Sequence, residues 1–266
     1  MKQRIITALV ALPLLIALLG YAGPALFAVF LTLVLFIALL EYNRMGLGDS
    51  CRLEQWVCAL AGALVAPLLF YAAPEQLLPL FTAVFLILSL FFLFRFKEIE
   101  TVHHQLGWLL SGLIYLPFLL GHLMPLRMLE DGRRWIFLTL LIIMACDTFA
   151  YFFGRKLGRR KLYPAVSPNK SVEGGLAGLA GSVIAALAAS FTFLPQLGMV
   201  GAVLIGLLLG TAGQLGDLFE SLLKRACKVK DSGTIIPGHG GLLDRLDSLL
   251  FAFPLVYYIA RFCYGG

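Results

Sequence analysis

An all-α bundle of about nine transmembrane helices is the fold this sequence predicts, and three observations predict it. The 266 residues are 60% hydrophobic and 14% charged, with a mean hydropathy of +0.91, which is more apolar surface than a water-soluble globule can hide. Apolar runs of roughly the 20 residues that a membrane-crossing helix needs recur along the chain, separated by short polar or Pro/Gly breaks. Lys and Arg cluster on alternate loops between those runs.

The runs are expected at 5–21, 24–42, 54–72, 76–94, 106–126, 135–153, 174–194, 197–219 and 245–263. Taken in order, Lys2 and Arg4 precede the first, Arg44 and Arg52 follow the second, and Arg95 and Lys97 follow the fourth. Arg155, Lys156, Arg159, Arg160, Lys161 and Lys170 fill the loop after the sixth, and Lys224, Arg225, Lys228, Lys230 and Arg245 that after the eighth. All of these fall on one side of a nine-span topology; of the 21 Lys and Arg only Arg127, Arg133, Arg134 and Arg261 fall on the other. Positive charge favours the cytoplasmic side, so the amino terminus is expected there and the carboxyl terminus opposite. The expected setting is a multi-pass protein of a bacterial-type inner (plasma) membrane. Gly20-Tyr21-Ala22 loosely resembles a signal cleavage site, but the next apolar run starts at once and the charge pattern works best with the first segment retained.

No long polar insertion or low-complexity linker breaks the chain, so chemistry is expected at the membrane surface. Residues 1–130, rich in Leu, Phe and Ala with few buried polar groups, read as scaffold helices; residues 131–266 hold nearly all the polar groups and read as the catalytic part. Cys51, Cys58, Cys146, Cys227 and Cys263 are scattered without a CxxC pair, which suits apolar fillers better than a zinc cage or disulfide framework. Gly174, Gly178 and Ser182 recur at four-residue spacing, as do Gly206 and Gly210. Such stripes let helices approach closely, within one chain or across a homodimer.

Residues 221–247 place a dense set of ionisable side chains and a Gly-rich turn against the ends of apolar segments. An unpaired acid near the hydrocarbon costs on the order of 3 kcal/mol, so acids there call for an explanation. If the eighth helix continues, Gln214, Asp217, Ser221 and Lys224 share a face, and Asp244 and Asp247 share another at the start of the ninth. Three carboxylates can then converge where two helices meet the cytoplasmic interface. Hard cations such as Mg²⁺ take oxygen ligands, commonly one or two carboxylates plus substrate phosphates. Lys224, Arg225, Lys228, Lys230 and Arg245 beside the acids suit a polyphosphate; the plainer alternative is an interfacial salt-bridge cluster that only neutralises charge. Ile236 to Gly241 should form a tight non-helical turn whose Gly240 and Gly241 amides can approach phosphate oxygens. His239 within it fits a structural hydrogen-bonding role or an acid–base one.

The pattern Ser221, Lys224-Arg225, Lys230-Asp231, Gly233, Pro237, His239-Gly240-Gly241, Asp244-Arg245 and Asp247 resembles the carboxyl-terminal signature of the phosphatidate cytidylyltransferase (CDP-diacylglycerol synthase) family. Ser167-Pro168-Asn169-Lys170-Ser171-Val172-Glu173-Gly174 is similar to the family's S-P-x-K-[ST]-x-E-G segment, and Asp147 to Tyr151 with Gly154-Arg155 to another. The resemblance covers the carboxyl-terminal half; the first 130 residues share only a series of hydrophobic helices. It implies transfer of CMP from CTP to phosphatidic acid, giving CDP-diacylglycerol and pyrophosphate. It implies Mg²⁺ on Asp217, Asp244 and Asp247, with room for a second cation, and phosphates held by Lys224 or Arg225, Lys170 and Arg245. Ser221, Lys230, His239, Gly240, Gly241 and Asp147 complete the expected substrate site. Its partners are CTP, phosphatidic acid and the bilayer, with no nucleic acid. Two other readings remain at this point: a CTP-dependent polyprenol-type lipid kinase, and a transporter, against which the gathering of polar groups at one interface stands.

Overall fold

A computed structural model of the chain describes residues 18–65, 67–68, 74–96, 98–235 and 240–265. The elements are α1 (Pro24–Leu47), α2 (Arg52–Ala63), α3 (Leu77–Arg95), α4 (Ile99–Gly121), α5 (Leu123–Met128), α6 (Gly132–Leu157), β1 (Lys161–Tyr163), β2 (Ser167–Ser171), α7 (Val172–Thr192), α8 (Gly198–Ala226) and α9 (Leu243–Cys263). Among the described residues seven helical segments are long and apolar enough to cross a membrane: Pro24–Leu47, Leu78–Arg95, Ile99–Met128, Gly132–Leu157, Val172–Thr192, Pro195–Ala226 and Leu243–Cys263. The protein is a multi-pass membrane protein of helical class. Of the remaining expected spans, 5–21 lies mostly outside the described residues, and 54–72 is represented by α2, the residues after 65 being only partly described.

The chain divides into two compact units, Met1–Pro125 with Asp231–Asp244, and Leu126–Lys230 with Arg245–Gly266. In the first, α1 opens with Pro24 at its first turn, where a missing N–H costs nothing, and stops at Gly48, whose φ of 55° takes the chain out of the helix. Phe27, Leu31, Leu35, Ala38 and Tyr42 form its buried stripe at helical spacing, and α1 packs on α2 and α4. Tyr42 stacks on Trp108 of α4 at 4.7 Å, and Trp108 Nε1 donates to the Tyr42 carbonyl at 3.0 Å.

This unit is less apolar inside than the sequence suggested. Glu41, Asn43, Glu54 and Gln55 are all buried. Asn43 donates to the Gln55 carbonyl at 3.2 Å, Gln55 to the carbonyls of Gly48 and Ser50, and Arg95 Nε reaches Glu54 at 3.3 Å. The α1–α2 turn therefore has its backbone groups satisfied by side chains, which a hydropathy reading averages away.

In the second unit, α6 packs along α7, and α7 along α8. Lipid tails are as apolar as Leu, so helices associate in a bilayer by close approach rather than by expelling apolar surface from water. Gly174 supplies that approach: a Cβ there would stand 3.0 Å from the Gly154 Cα and from the Ala150 carbonyl. Likewise a Cβ at Gly206 would meet the Val183 Cα at 2.8 Å. Glycines of the small-residue stripes thus serve close packing within the chain. Cys58 and Cys146 are buried fillers, and Cys263 is exposed.

A two-stranded antiparallel hairpin, β1 with β2, pairs Lys161 with Ser171 and Tyr163 with Ser167 between α6 and α7. The all-helix reading of the sequence has no place for it. Ser171 then caps α7, its Oγ accepting from the Gly174 amide at 3.2 Å. Glu173 in the first turn accepts from the Arg159 and Arg160 amides at 3.0 and 3.2 Å, so one short motif pins both ends of the hairpin.

Candidate functional site

The second unit contains a cavity of about 590 Å³ lined by Asp147, Tyr151 and Arg155 of α6, Asn169 and Lys170 of β2, Gly174 and Gly175 of α7, and Gln214 and Asp217 of α8. That volume falls within the roughly 300–1,000 Å³ typical of small-molecule sites. Its geometry follows from the elements just described. The hairpin carries Lys170, the glycines of α7 bring α6 and α8 close, and Gln214 Nε2 donates to the Gly175 carbonyl at 2.9 Å, tying α8 to the start of α7.

Lys170 Nζ lies 2.6 Å from Asp217 Oδ2. One helical turn on, Ser221 Oγ donates to Asp217 Oδ1 at 3.4 Å. Asp147 lies within electrostatic range of Asp217, Lys170 and Arg245, and Asp247 within range of Asp217, Lys224 and Asp147. Asp247 Oδ1 also accepts from the Ser248 amide at 2.6 Å, and α8 meets α9 closely at Gly216, where a Cβ would stand 2.5 Å from the Asp247 carbonyl. Asp147, Lys170, Asp217, Ser221, Asp247 and Arg245, all expected at the site, are therefore gathered in one unit.

The other expected basic residues are held differently. Lys224 is buried and forms an ion pair with Glu220 on the preceding turn of α8. Arg225 donates from Nε to the Val166 carbonyl at 3.3 Å and from Nη1 to the Val229 carbonyl at 3.0 Å, bracing the hairpin turn. Lys230 is exposed. Glu220 was not expected from the sequence, although an acid four residues before Lys224 on one helix face is the signal that could have found it. Tyr151, Arg155 and Asn169, also unassigned there, line the cavity because they sit one turn and two turns from Asp147 and one residue from Lys170.

Asp244 belongs to the first unit. Its carboxylate accepts from the Ser232 amide at 3.0 Å and the Gly241 amide at 2.8 Å, so in this structure the Gly241 N–H serves the loop's own fold. Gly240 adopts φ 85°, a conformation glycine takes without a Cβ clash, which agrees with the expected non-helical turn at that residue. His239, with Ile236, Pro237 and Gly238, lies outside the described residues.

The donor chemistry bears on a cation. Asp147, Asp217 and Asp247 offer hard oxygen ligands, within range of one another, that suit Mg²⁺. Among the described residues no three His, Cys, Asp or Glu side chains close into a ready-made cage. A cation that keeps several waters and takes one or two carboxylates plus substrate phosphates does not require one.

Comparisons with known proteins agree over nearly the whole chain. Residues 2–263 match the cytidylyltransferase family. The phosphatidate cytidylyltransferase of Bacillus subtilis (strain 168) is 35% identical over 270 residues, 97% of each chain. Those of Staphylococcus haemolyticus (strain JCSC1435) and Staphylococcus aureus (strain COL) are 35% identical over 263 and 264 residues, 96% of this chain and 97% of theirs.

Proposed function

The chain belongs to the cytidylyltransferase family, and from that membership and the site we infer that it transfers CMP from CTP to phosphatidic acid, releasing pyrophosphate. The observation that carries this reading is the 35% identity over 97% of both chains to a phosphatidate cytidylyltransferase. The charged cavity of the second unit, with Lys170 and Asp217 at its wall, supports it independently.

A phosphate oxygen of phosphatidic acid attacks the α-phosphorus of CTP; that P–O bond forms, the bond to the β-phosphate bridging oxygen breaks, and its electron pair leaves with pyrophosphate. The nucleophile is already anionic, so little general-base help is needed, and catalysis rests on positioning and charge neutralisation. Lys170, held by Asp217, and Arg245 bind the phosphates, and Arg155 extends the same cationic wall. Lys224 and Arg225 support this wall from α8, the first through its pair with Glu220 and the second through the hairpin turn. Asp217 and Asp247, with Asp147 beside them, would hold Mg²⁺, which would neutralise charge developing on pyrophosphate, and their combined charge leaves room for a second cation; the signature also assigns Asp244 to the reaction. Residues 1–130 serve as scaffold and 131–266 supply the chemistry. CTP arrives from water on the cytoplasmic side of a bacterial-type inner membrane, where the amino terminus also lies, while the lipid enters sideways between helices.

Purified protein given CTP, phosphatidic acid and Mg²⁺ should form CMP-linked lipid. Asp217→Ala and Asp247→Ala should each abolish that activity while leaving the protein folded; near-normal turnover in either folded variant would contradict its assignment.

A further inference from the structure

Glu41 has no obvious place in the apolar run of α1. An acid in a membrane-crossing segment is costly and ordinarily marks function, and this one is buried. Within the first unit its Oε2 accepts from the Leu243 amide at 2.8 Å across a sequence separation of 202 residues. Leu243 is the first residue of α9, where helix geometry leaves amides without an intrahelical acceptor. The same carboxylate lies against two glycines of the signature segment: a Cβ at Gly233 would stand 2.5 Å from Glu41 Oε1, and one at Gly241 would stand 2.7 Å from Oε2. Asp244 accepts from Ser232 and Gly241 in the same segment, so its described residues fold around two carboxylates, one local and one from α1.

We propose that Glu41 is a positioning residue for CMP transfer, an acceptor that seats Gly233, Gly241 and Leu243 and so fixes the backbone carrying Asp244. This role rests on the cytidylyltransferase reading above. It requires an oxygen acceptor at the Leu243 amide and a side chain thin enough for the two glycines; it does not require negative charge. It also gives the first unit a part in the reaction beyond scaffolding.

The test compares wild type, Glu41→Ala and Glu41→Gln in one detergent. It measures kcat, the KM for CTP, thermal unfolding, and hydrogen exchange of a peptide covering residues 240–245. Glu41→Ala should lower kcat by about 10–100-fold, the scale of a small misplacement at a reacting centre, while the KM for CTP stays within threefold and exchange quickens. Glu41→Gln should keep kcat within fivefold of wild type and retain slow exchange. A folded Glu41→Ala whose kcat stays within fivefold of wild type overturns the proposal, as does a folded Glu41→Gln impaired beyond fivefold. If Glu41→Ala does not fold, Glu41→Gln decides by the same limit. Should wild type itself transfer no CMP, the parent reading falls, and the exchange comparison still decides whether Glu41 seats the segment.

Discussion

Replacing Lys170 with Met removes the ammonium that sits 2.6 Å from Asp217 Oδ2 while keeping most of the side chain's length. Both side chains are 28% exposed, so the pair lies between exposed ion pairs, worth about 0.2–1 kcal/mol, and buried ones, whose breaking costs about 3–5 kcal/mol. A stability loss of about 1–3 kcal/mol is expected, read as a thermal shift of several degrees in detergent. The loss in turnover should be larger, because a lost donor to developing charge typically costs about 10²–10³ in kcat. Asp217 would also face Asp147 and Asp247 without its own paired cation. The assay follows transfer of α-labelled CMP to phosphatidic acid at saturating CTP for wild type, Lys170→Met, Asp217→Asn and the double variant. If the two residues act as one unit, Lys170→Met should cost far less stability in the Asp217→Asn background than alone. A folded Lys170→Met with kcat within threefold of wild type would refute the assignment of Lys170 to phosphate, and additive stability losses would refute the coupling.

Other outcomes follow from packing and capping. Gly174→Val should destabilise by at least about 1–3 kcal/mol, because the new side chain meets the Gly154 Cα and the Ala150 carbonyl; an unchanged melting temperature would show that α6 and α7 do not pack there. Lys224→Met alone should cost more stability than Lys224→Met combined with Glu220→Leu, since the single change leaves a buried carboxylate without its cation. Ser171→Ala should cost about 1 kcal/mol through loss of the α7 cap, read as a lowered melting temperature on thermal unfolding.

Hydropathy and loop charge made the helical membrane class legible, because runs of Leu, Phe and Ala long enough to cross a bilayer leave few other solutions. Lengths were less legible. The eighth apolar run ends near residue 219, yet α8 continues to Ala226, since Glu220 and Lys224 satisfy each other one turn apart and let charged residues stay helical. The hairpin at 161–171 was hidden because its strands are short, polar and set among basic residues, which carry no periodic signal. Within the site, acids and bases clustered in sequence were found by spacing and resemblance. Cross-chain partners were not: the Lys170–Asp217 pair joins a hairpin to a helix, and Glu41 meets Leu243 from the far end of the chain. Nothing local to Glu41 distinguishes it from an acid at a membrane interface. Asp244 was legible as an acid of the signature segment, but its hold on the Ser232 and Gly241 amides depends on how the loop folds back.

CMP transfer moves the α-phosphorus of CTP to the lipid, whereas a kinase moves the γ-phosphorus. Purified protein in phosphatidic acid vesicles with Mg²⁺ should be given CTP labelled separately at the α- and γ-phosphates, and the lipid phase counted. CMP transfer should put α-label in the lipid, in a one-to-one ratio with released pyrophosphate, and no γ-label there. γ-Label in the lipid with CDP in solution, or no lipid label from active, folded protein, would contradict it.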